Sequence, residues 1–208
     1  MAEQDHRWMI ETGRLSDFTI ICQGEEIHVH KTMLVGHSKG FETFFNDDLQ
    51  NKDNVMVFED DEPELMRHLL DYFYKGTTEW NVPQADLKLH VRLWVLARRL
   101  GARTVMFTVE KRMMTALESY ESKIRVLGFI DTVFTDPICS MSALGYIAGE
   151  AALALFLDKQ RPEAAYNVIL VADKYQTLAT MMLWWSYRYT SFTEDHGITA
   201  VISTGQVR

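Results

Sequence analysis

The sequence predicts an α+β domain, a short mixed β-sheet flanked by helices, followed by an all-helical region. Three observations predict it. Phe18, Ile20 and Cys22 alternate with Thr19 and Ile21, and Ile27 and Val29 alternate with His28 and His30, which is the period of a strand. Immediately after His30 the period changes to that of a helix, with Phe41, Phe44 and Phe45 on one face. From Ile124 to Tyr189 the apolar residues form four stripes at helical spacing.

Taken in order, Met1–Leu15 places Trp8, Met9 and Ile10 among charges, as in a short helical turn or loose arm closed by Gly13. The polar, glycine-containing Gln23-Gly24-Glu25-Glu26 reads as the hairpin turn between two strands. Met33 and Leu34 belong to a first helix, broken at Gly36-His37-Ser38 before the phenylalanine helix. The run 46–54 is polar and predicts a loop, and Val55–Phe58 reads as a buried third strand. Glu59–Glu62 precede Pro63, the composition of a helix N-terminus, where acids meet the positive end and Pro loses no bond. Leu65, Met66, Leu69, Leu70 and Phe73 predict that this helix runs to about Lys75. Pro83 opens a further helical tract dense in leucine, stopped by Gly101, and a last helix of the domain spans Ala102 to about Leu117 with Val105, Met106, Val109 and Met113 on one face.

Beyond this point four stripes predict a helical bundle. They are Ile124, Leu127, Ile130 and Phe134; Leu144, Ile147, Ala151 and Leu155; Ala165, Val168, Ile169 and Ala172; and Leu178, Met181, Met182, Trp185 and Tyr189. The polar end, 190–208, is expected to be disordered or to pair as a short strand at Ile198–Ile202. The expected division is therefore 1–14 as an arm, 15–117 as the α+β domain, 118–189 as the helical extension and 190–208 as a tail.

With 47% hydrophobic residues the chain can bury a core, which excludes a disordered protein. A net charge of −8 leaves no basic field for a phosphate backbone, so direct nucleic-acid binding is not expected. The only two cysteines, Cys22 and Cys139, make a disulfide framework improbable and fit a reducing compartment. The N-terminus carries charges of both signs and no apolar run, so no signal peptide is expected.

The strand pair, Ser16-Asp17-Phe18, Val29-His30-Lys31, Ser38–Phe41 with Phe44-Phe45, and the block Leu70-Asp71-Tyr72-Phe73-Tyr74-Lys75-Gly76 together resemble the BTB/POZ domain. The resemblance covers roughly Leu15–Leu117, and with the helical extension it is closest to fungal-type members. It implies a non-enzymatic, intracellular protein, cytoplasmic or nuclear, that binds protein partners and self-associates as a homodimer. Only Met1–Ser16 precede the Asp17 that matches the family's start, so an exchanged N-terminal helix is not expected. The family also implies adaptors that hold a cullin scaffold of a ubiquitin ligase. Here that surface is Phe44, Phe45, Asp47, Asp48 and Leu49, with Tyr72 and Tyr74 nearby. Asp17 and Lys31 match an acidic and a basic residue that line a charged pocket in members acting in transcription, which makes a regulator working through a partner the second reading. A hairpin brings these two together, and as a plain surface ion pair they are worth under about 1 kcal/mol.

Three other signals carry competing chemistry. Gly36-His37-Ser38-Lys39-Gly40 fits the nucleophile-elbow pattern of a serine hydrolase, with Asp131 and His196 in triad order, yet Ser38 equally fits an N-cap for the phenylalanine helix. His28 and His30, on one strand face, and nearby His37 lack cysteine or carboxylate partners at ligand spacing, so no metal or cofactor is expected. His30 is expected instead to bond the backbone at the strand-to-helix corner. Met141–Leu157 contains Gly145-x-x-x-Gly149, but Glu150 inside it favours a buried bundle helix over a membrane span.

Overall fold

The structure is a computed structural model, which describes residues 6–47, 53–77, 80–84, 86–118, 122–160 and 162–196. The chain divides into two compact units, Met1–Ala116 and Leu117–Arg208.

The first unit contains a three-stranded sheet in the order β2-β1-β3, with β1 at Phe18–Cys22, β2 at Glu25–Val29 and β3 at Val55–Phe58. β1 runs antiparallel to β2, from Phe18 opposite Val29 to Cys22 opposite Glu25, and parallel to β3, from Thr19 opposite Val55 to Cys22 opposite Phe58. The turn is two residues rather than the predicted four: Gln23 and Gly24 both take positive φ, 49° and 84°, which suits the twist of a tight hairpin and lets Glu25 and Glu26 join the strand. The alternation of β1 is realised, with Phe18, Ile20 and Cys22 buried together with Ile27 and Val29 of β2. β3 corrects the expectation of a buried strand. It lies at the sheet edge, where only Phe58 is buried and Val57 is 55% exposed.

The short α1, Arg7–Thr12, ends at Gly13 in the left-handed region, as expected of a glycine stop. Helices α2, Lys31–His37, and α3, Lys39–Phe45, connect β2 to β3. α4, Pro63–Lys75, starts with Pro63 in its first turn and buries Leu65, Met66, Leu69, Leu70 and Phe73, the stripe read from the sequence. α5 begins at Leu87 rather than at Pro83, because Asp86 takes the N-cap and accepts the Leu89 N–H at 3.0 Å. It runs to Arg99. α6, Arg103–Glu118, buries Val105, Val109 and Met113, with Met106 half-buried.

The second unit is helical among its described residues: α7, Ser122–Thr135, α8, Pro137–Ser140, α9, Ala143–Phe156, α10, Pro162–Lys174, and α11, Gln176–His196. α9 is its centre, packed by the other four. The spacing of Gly145 and Gly149 is used for close approach. A Cβ on Gly145 would lie 1.8 Å from the Ser140 carbonyl oxygen, and one on Gly149 would lie 2.9 Å from Met181 Cβ. No helix among the described residues is long and apolar enough to cross a membrane.

Three expectations are corrected here. α8 is an additional element, one turn capped by Asp136, whose carboxylate accepts the Ile138 N–H at 2.7 Å. α11 continues to His196, because a hydrogen-bonded ladder extends past the apolar stripe that marks only its packed part. Ile169 of α10 is 51% exposed, since this helix is apolar on more sides than its neighbours cover. The proposed strand Ile198–Ile202 lies outside the described residues, as do the side chains of Ile124 and Tyr189.

Candidate functional site

The face built around α3 begins with the way that helix is held. Ser38 is buried, its Oγ accepts the Phe41 N–H at 3.2 Å, and its hydroxyl donates to the Leu100 carbonyl at 2.5 Å. Gly40 donates its N–H to the same carbonyl at 2.9 Å, and a Cβ at position 40 would come within 2.7 Å of that oxygen. The start of α3 is thereby pressed onto the end of α5 at a point only glycine allows. Ser38 is thus a cap whose hydroxyl is already used, not an exposed nucleophile. Asp131, the acid of the hydrolase reading, accepts from Lys174 Nζ and the Tyr175 hydroxyl, each at 2.8 Å. The side chain of His196 lies outside the described residues.

Held this way, α3 turns Phe41 into the core and leaves Phe44 and Phe45 half-buried. Phe18 of β1 receives both rings edge-on, at centroid distances of 5.9 and 4.8 Å, and Phe44 meets Phe45 at 5.6 Å. Such contacts are worth about 0.5–1.5 kcal/mol each beyond burial. The Lys31 ammonium sits 5.4 Å over Phe45 and 5.8 Å over Phe18, and donates to Asn54 Oδ1 at 2.5 Å. The result is a partly exposed aromatic patch with the Lys31 cation on its rim.

Asp17 reaches this rim differently from the expected ion pair. Its carboxylate accepts the backbone N–H of Lys31 at 2.8 Å, capping α2, while the Lys31 ammonium turns to Asn54 and the rings. A carboxylate at a helix N-terminus satisfies an orphan donor and meets the positive end of the dipole. Asp47 is half-buried at the end of α3; Asp48 and Leu49 lie outside the described residues. Phe18 and Asn54 belong to the patch although sequence reasoning did not assign them to it. The inward alternation of β1 could have placed Phe18 there, whereas nothing local marks Asn54.

Tyr72 and Tyr74 are corrected from partner contacts to core residues, 6% and 2% exposed. The Tyr72 hydroxyl meets Thr108 Oγ1 at 3.1 Å, and its ring packs edge-on against Trp80 at 5.2 Å. The Tyr74 hydroxyl accepts the His30 N–H and meets His30 Nδ1, both at 2.9 Å, while His30 Nε2 lies 2.9 Å from the Arg14 carbonyl. A carbonyl only accepts, so Nε2 carries a proton and donates to Arg14, and in the tautomer with that proton alone the Tyr74 O–H donates to Nδ1. Burial, with a lesser push from Asp17, raises the Tyr74 phenol to about 12. His30 therefore bonds the backbone as expected, from a buried position.

His28 is exposed on β2, and His37 stacks on Phe73 at 5.0 Å, so the three histidines do not converge. Strand β2 ends at Val29, which is why His28 and His30 do not share a face. No group of three side chains able to hold a metal occurs among the described residues. Cys22 and Cys139 are buried thiols, Cys139 donating to the Asp136 carboxylate at 3.6 Å, and burial raises Cys22 to about 11.

The BTB/POZ domain family profile matches residues 9–115. Among curated proteins, the chain is 36% identical over 86 residues to the sex determination protein fruitless of Drosophila melanogaster, covering 40% of this chain and 8% of that protein. It is 30% identical over 74 residues to BTB/POZ and MATH domain-containing protein 6 of Arabidopsis thaliana, covering 36% and 18%. The chain thus spans under a fifth of the length of either relative. Solved structures similar to it include the BTB domain of zebrafish PATZ1, at 22% identity and TM-score 0.43 over 51% of this chain and 82% of that one. The BTB domain of human Gigaxonin follows, at 20% identity and TM-score 0.39 over 52% and 93%. The profile match spans half of the chain and covers the sheet, the capped α3 and the tyrosine helix: this protein belongs to the BTB/POZ domain family.

Proposed function

We propose that this chain is a non-enzymatic adaptor that binds protein partners through the Phe44–Phe45 face of its BTB/POZ domain. In this reading the domain spans 15–117, self-associates, and carries the helical extension, as in fungal-type members, as a second contact surface. Domains of this family are protein-interaction modules. The observation that carries the assignment to this face is the half-buried pair Phe44 and Phe45, clustered on Phe18 under the Lys31 ammonium. Aromatic side chains on rigid, partly desolvated ground dominate interface energies. Asp47 beside them steers a partner with a basic surface and makes its on-rate sensitive to salt.

A cullin scaffold is the first partner to test. The family's recruiting pattern places Glu two positions after a hydrophobic residue, whereas this chain reads Phe44-Phe45-Asn46 or Phe45-Asn46-Asp47. The face is therefore assigned to partner capture in general, with cullin as one case. The test is affinity capture with the wild-type chain, Phe44→Ala and Asp47→Lys, alongside melting curves for each. Capture lost in Phe44→Ala at little cost in stability, with weaker and less salt-dependent capture in Asp47→Lys, is the expected result. Capture intact in Asp47→Lys, and lost in Phe44→Ala only in proportion to unfolding, would make the face structural.

A further inference from the structure

A second surface of the first unit lies away from the α3 patch and shares no residue with it. α6 forms one wall of an open groove of about 460 Å³, which Thr77 and Gln84 also line. Phe107, Thr108, Lys111, Arg112 and Thr115 line it from α6. Among the described lining residues there are two cations and no carboxylate, in a chain whose net charge is −8. Phe107 is 68% exposed, a large apolar ring facing water beside those cations.

The two cations differ in kind. Arg112 is fixed: its guanidinium donates to the Trp80 and Val82 carbonyls at 3.1 and 3.3 Å and lies 5.0 Å over the Trp80 ring. All these partners are neutral, so its charge is oriented and, among the described residues, not compensated by an acid. Lys111 is exposed and has no acid partner among the described residues. The hydroxyls are partly committed, since Thr108 meets Tyr72 and Thr115 donates to the Lys111 carbonyl at 3.1 Å, which leaves the Thr115 oxygen as an acceptor. A fixed guanidinium costs little further ordering when it meets an anion.

We propose that this groove takes an extended acidic peptide segment of a partner protein, with an apolar side chain on Phe107 and a carboxylate at Lys111 and Arg112. The spacing fits an extended chain. Phe107 and Lys111 are four residues apart, a rise of about 6 Å along α6, and two residues of extended peptide advance about 6.6 Å. The acid and the apolar residue of the ligand therefore stand two positions apart on one side of the peptide. The full lined length from Phe107 to Thr115, about 12 Å, holds three to four such residues, so about two side chains reach the floor. Gln84 and the Thr115 oxygen face the peptide backbone, whose N–H and C=O groups are unpaired in an isolated extended strand. One cation pair on an acidic protein does not make the long basic track that a nucleic acid needs, which is why the occupant is a peptide.

The experiment is fluorescence anisotropy on the full chain with a labelled Gly-Leu-Ser-Glu-Gly peptide and its Gln counterpart, in low salt. The Glu peptide is expected to bind saturably and at least about tenfold more tightly than the Gln peptide, the scale of a charge-assisted pair. Lys111→Glu is expected to weaken it about tenfold and Phe107→Ser several-fold, with unchanged melting curves because both side chains are exposed. Lys88→Glu, an exposed site on α5, controls for net charge and should leave binding unaltered. Equal affinity for the two peptides, binding undiminished in Lys111→Glu, an equal loss in Lys88→Glu, or no saturation by about 1 mM peptide would each overturn the proposal. Because capture through Phe44 is read in a separate assay, either surface can fail while the other stands.

Discussion

Helices α3 and α4 both carry clustered aromatic residues, Phe41, Phe44 and Phe45 on one and Tyr72, Phe73 and Tyr74 on the other, yet they hold them in opposite ways. All three rings of α4 are buried, whereas α3 buries one and leaves two half-exposed. Three consecutive helical residues cover about 200° of the helix surface, so α4 must be enclosed on more than half its circumference. Its enclosure comes from His30 at one side, and from Thr108 and Trp80 at the other. α3 has seven residues, is anchored at its start by Ser38 and Gly40, and rests its rings on Phe18 and Phe58. Aromatic content alone does not make a binding face. What decides is whether a second layer closes over the helix.

That contrast can be broken most forcefully in α4. Leu69 is fully buried on this enclosed helix, so Leu69→Ala is expected to cost about 2–5 kcal/mol through the cavity it leaves. An unchanged denaturant midpoint would show that α4 is not enclosed as described. Phe44→Ala on the open helix should cost clearly less in the same measurement.

Tyr74→Phe sharpens the same point, since it keeps the ring and removes only the hydroxyl. The His30 N–H and Nδ1 would lose their shared partner inside the core, a loss of about 1–3 kcal/mol. The pH profile should change as well. Because the folded-state phenol lies at about 12, above its ordinary value of 10, its contribution is fully present below pH 10 and is lost as pH rises from there through about 12. Denaturant midpoints across this range should fall for the wild type and fall less for Tyr74→Phe.

The sequence made the enclosed part of the fold readable and its edges less so. β1, β2 and the stripe of α4 follow strict periods because a buried face imposes one. β3 has four apolar residues and no period to reveal that it lies at the edge. α8 is a single turn, too short for any period. Tyr72 and Tyr74 were misplaced because their partners lie 36 and 44 residues away in the chain, and the tyrosine pattern carries no mark of which hydroxyl finds one. Ser38, by contrast, was readable as a cap because its donor lies only three residues on. The pairing of Asp17 with position 31 was visible from the hairpin, but whether the carboxylate meets the ammonium or the backbone N–H is decided by atoms, not spacing.

A buried histidine supplies a weaker, pH-dependent test of the enclosed region. His90 of α5 is fully buried, its Nδ1 lies 2.7 Å from the Asp86 carbonyl, and its Nε2 has no partner. Burial lowers its proton affinity below the ordinary 6.5, and Arg112 and His68 add to this, against the Asp86 carbonyl and carboxylate. A depressed histidine leaves stability unaffected above the unfolded value. As pH falls below about 6.5 the unfolded chain takes up a proton that the folded one does not, so stability declines toward the lower folded value, by at most about 1.4 kcal/mol per pH unit. His90→Gln should flatten this limb of the midpoint profile. An identical slope in wild type and variant would assign it to other groups.

The smallest expected effect tests the rim of the α3 face. Since Asp17 caps α2 through the Lys31 backbone and the ammonium serves Asn54 and the rings, the two side-chain charges are close but not paired. Asp17→Asn keeps an acceptor for the cap and should cost only a few tenths of a kcal/mol, whereas Asp17→Ala removes it and should cost about 0.5–2 kcal/mol. Lys31→Met keeps apolar cover over Phe45 and removes the charge. A double-mutant cycle of Asp17→Asn with Lys31→Met should therefore give a coupling below about 0.5 kcal/mol, within the scatter of independent sites. It should also change little with salt, because no ion pair is being screened. A coupling near 1 kcal/mol that fades as salt is added would mean that the two charges do pair, leaving Phe18 and Phe45 without their cation. The rings of the open helix would then stand without that charge, and the salt dependence of partner capture would have to come from other groups, Asp47 among them.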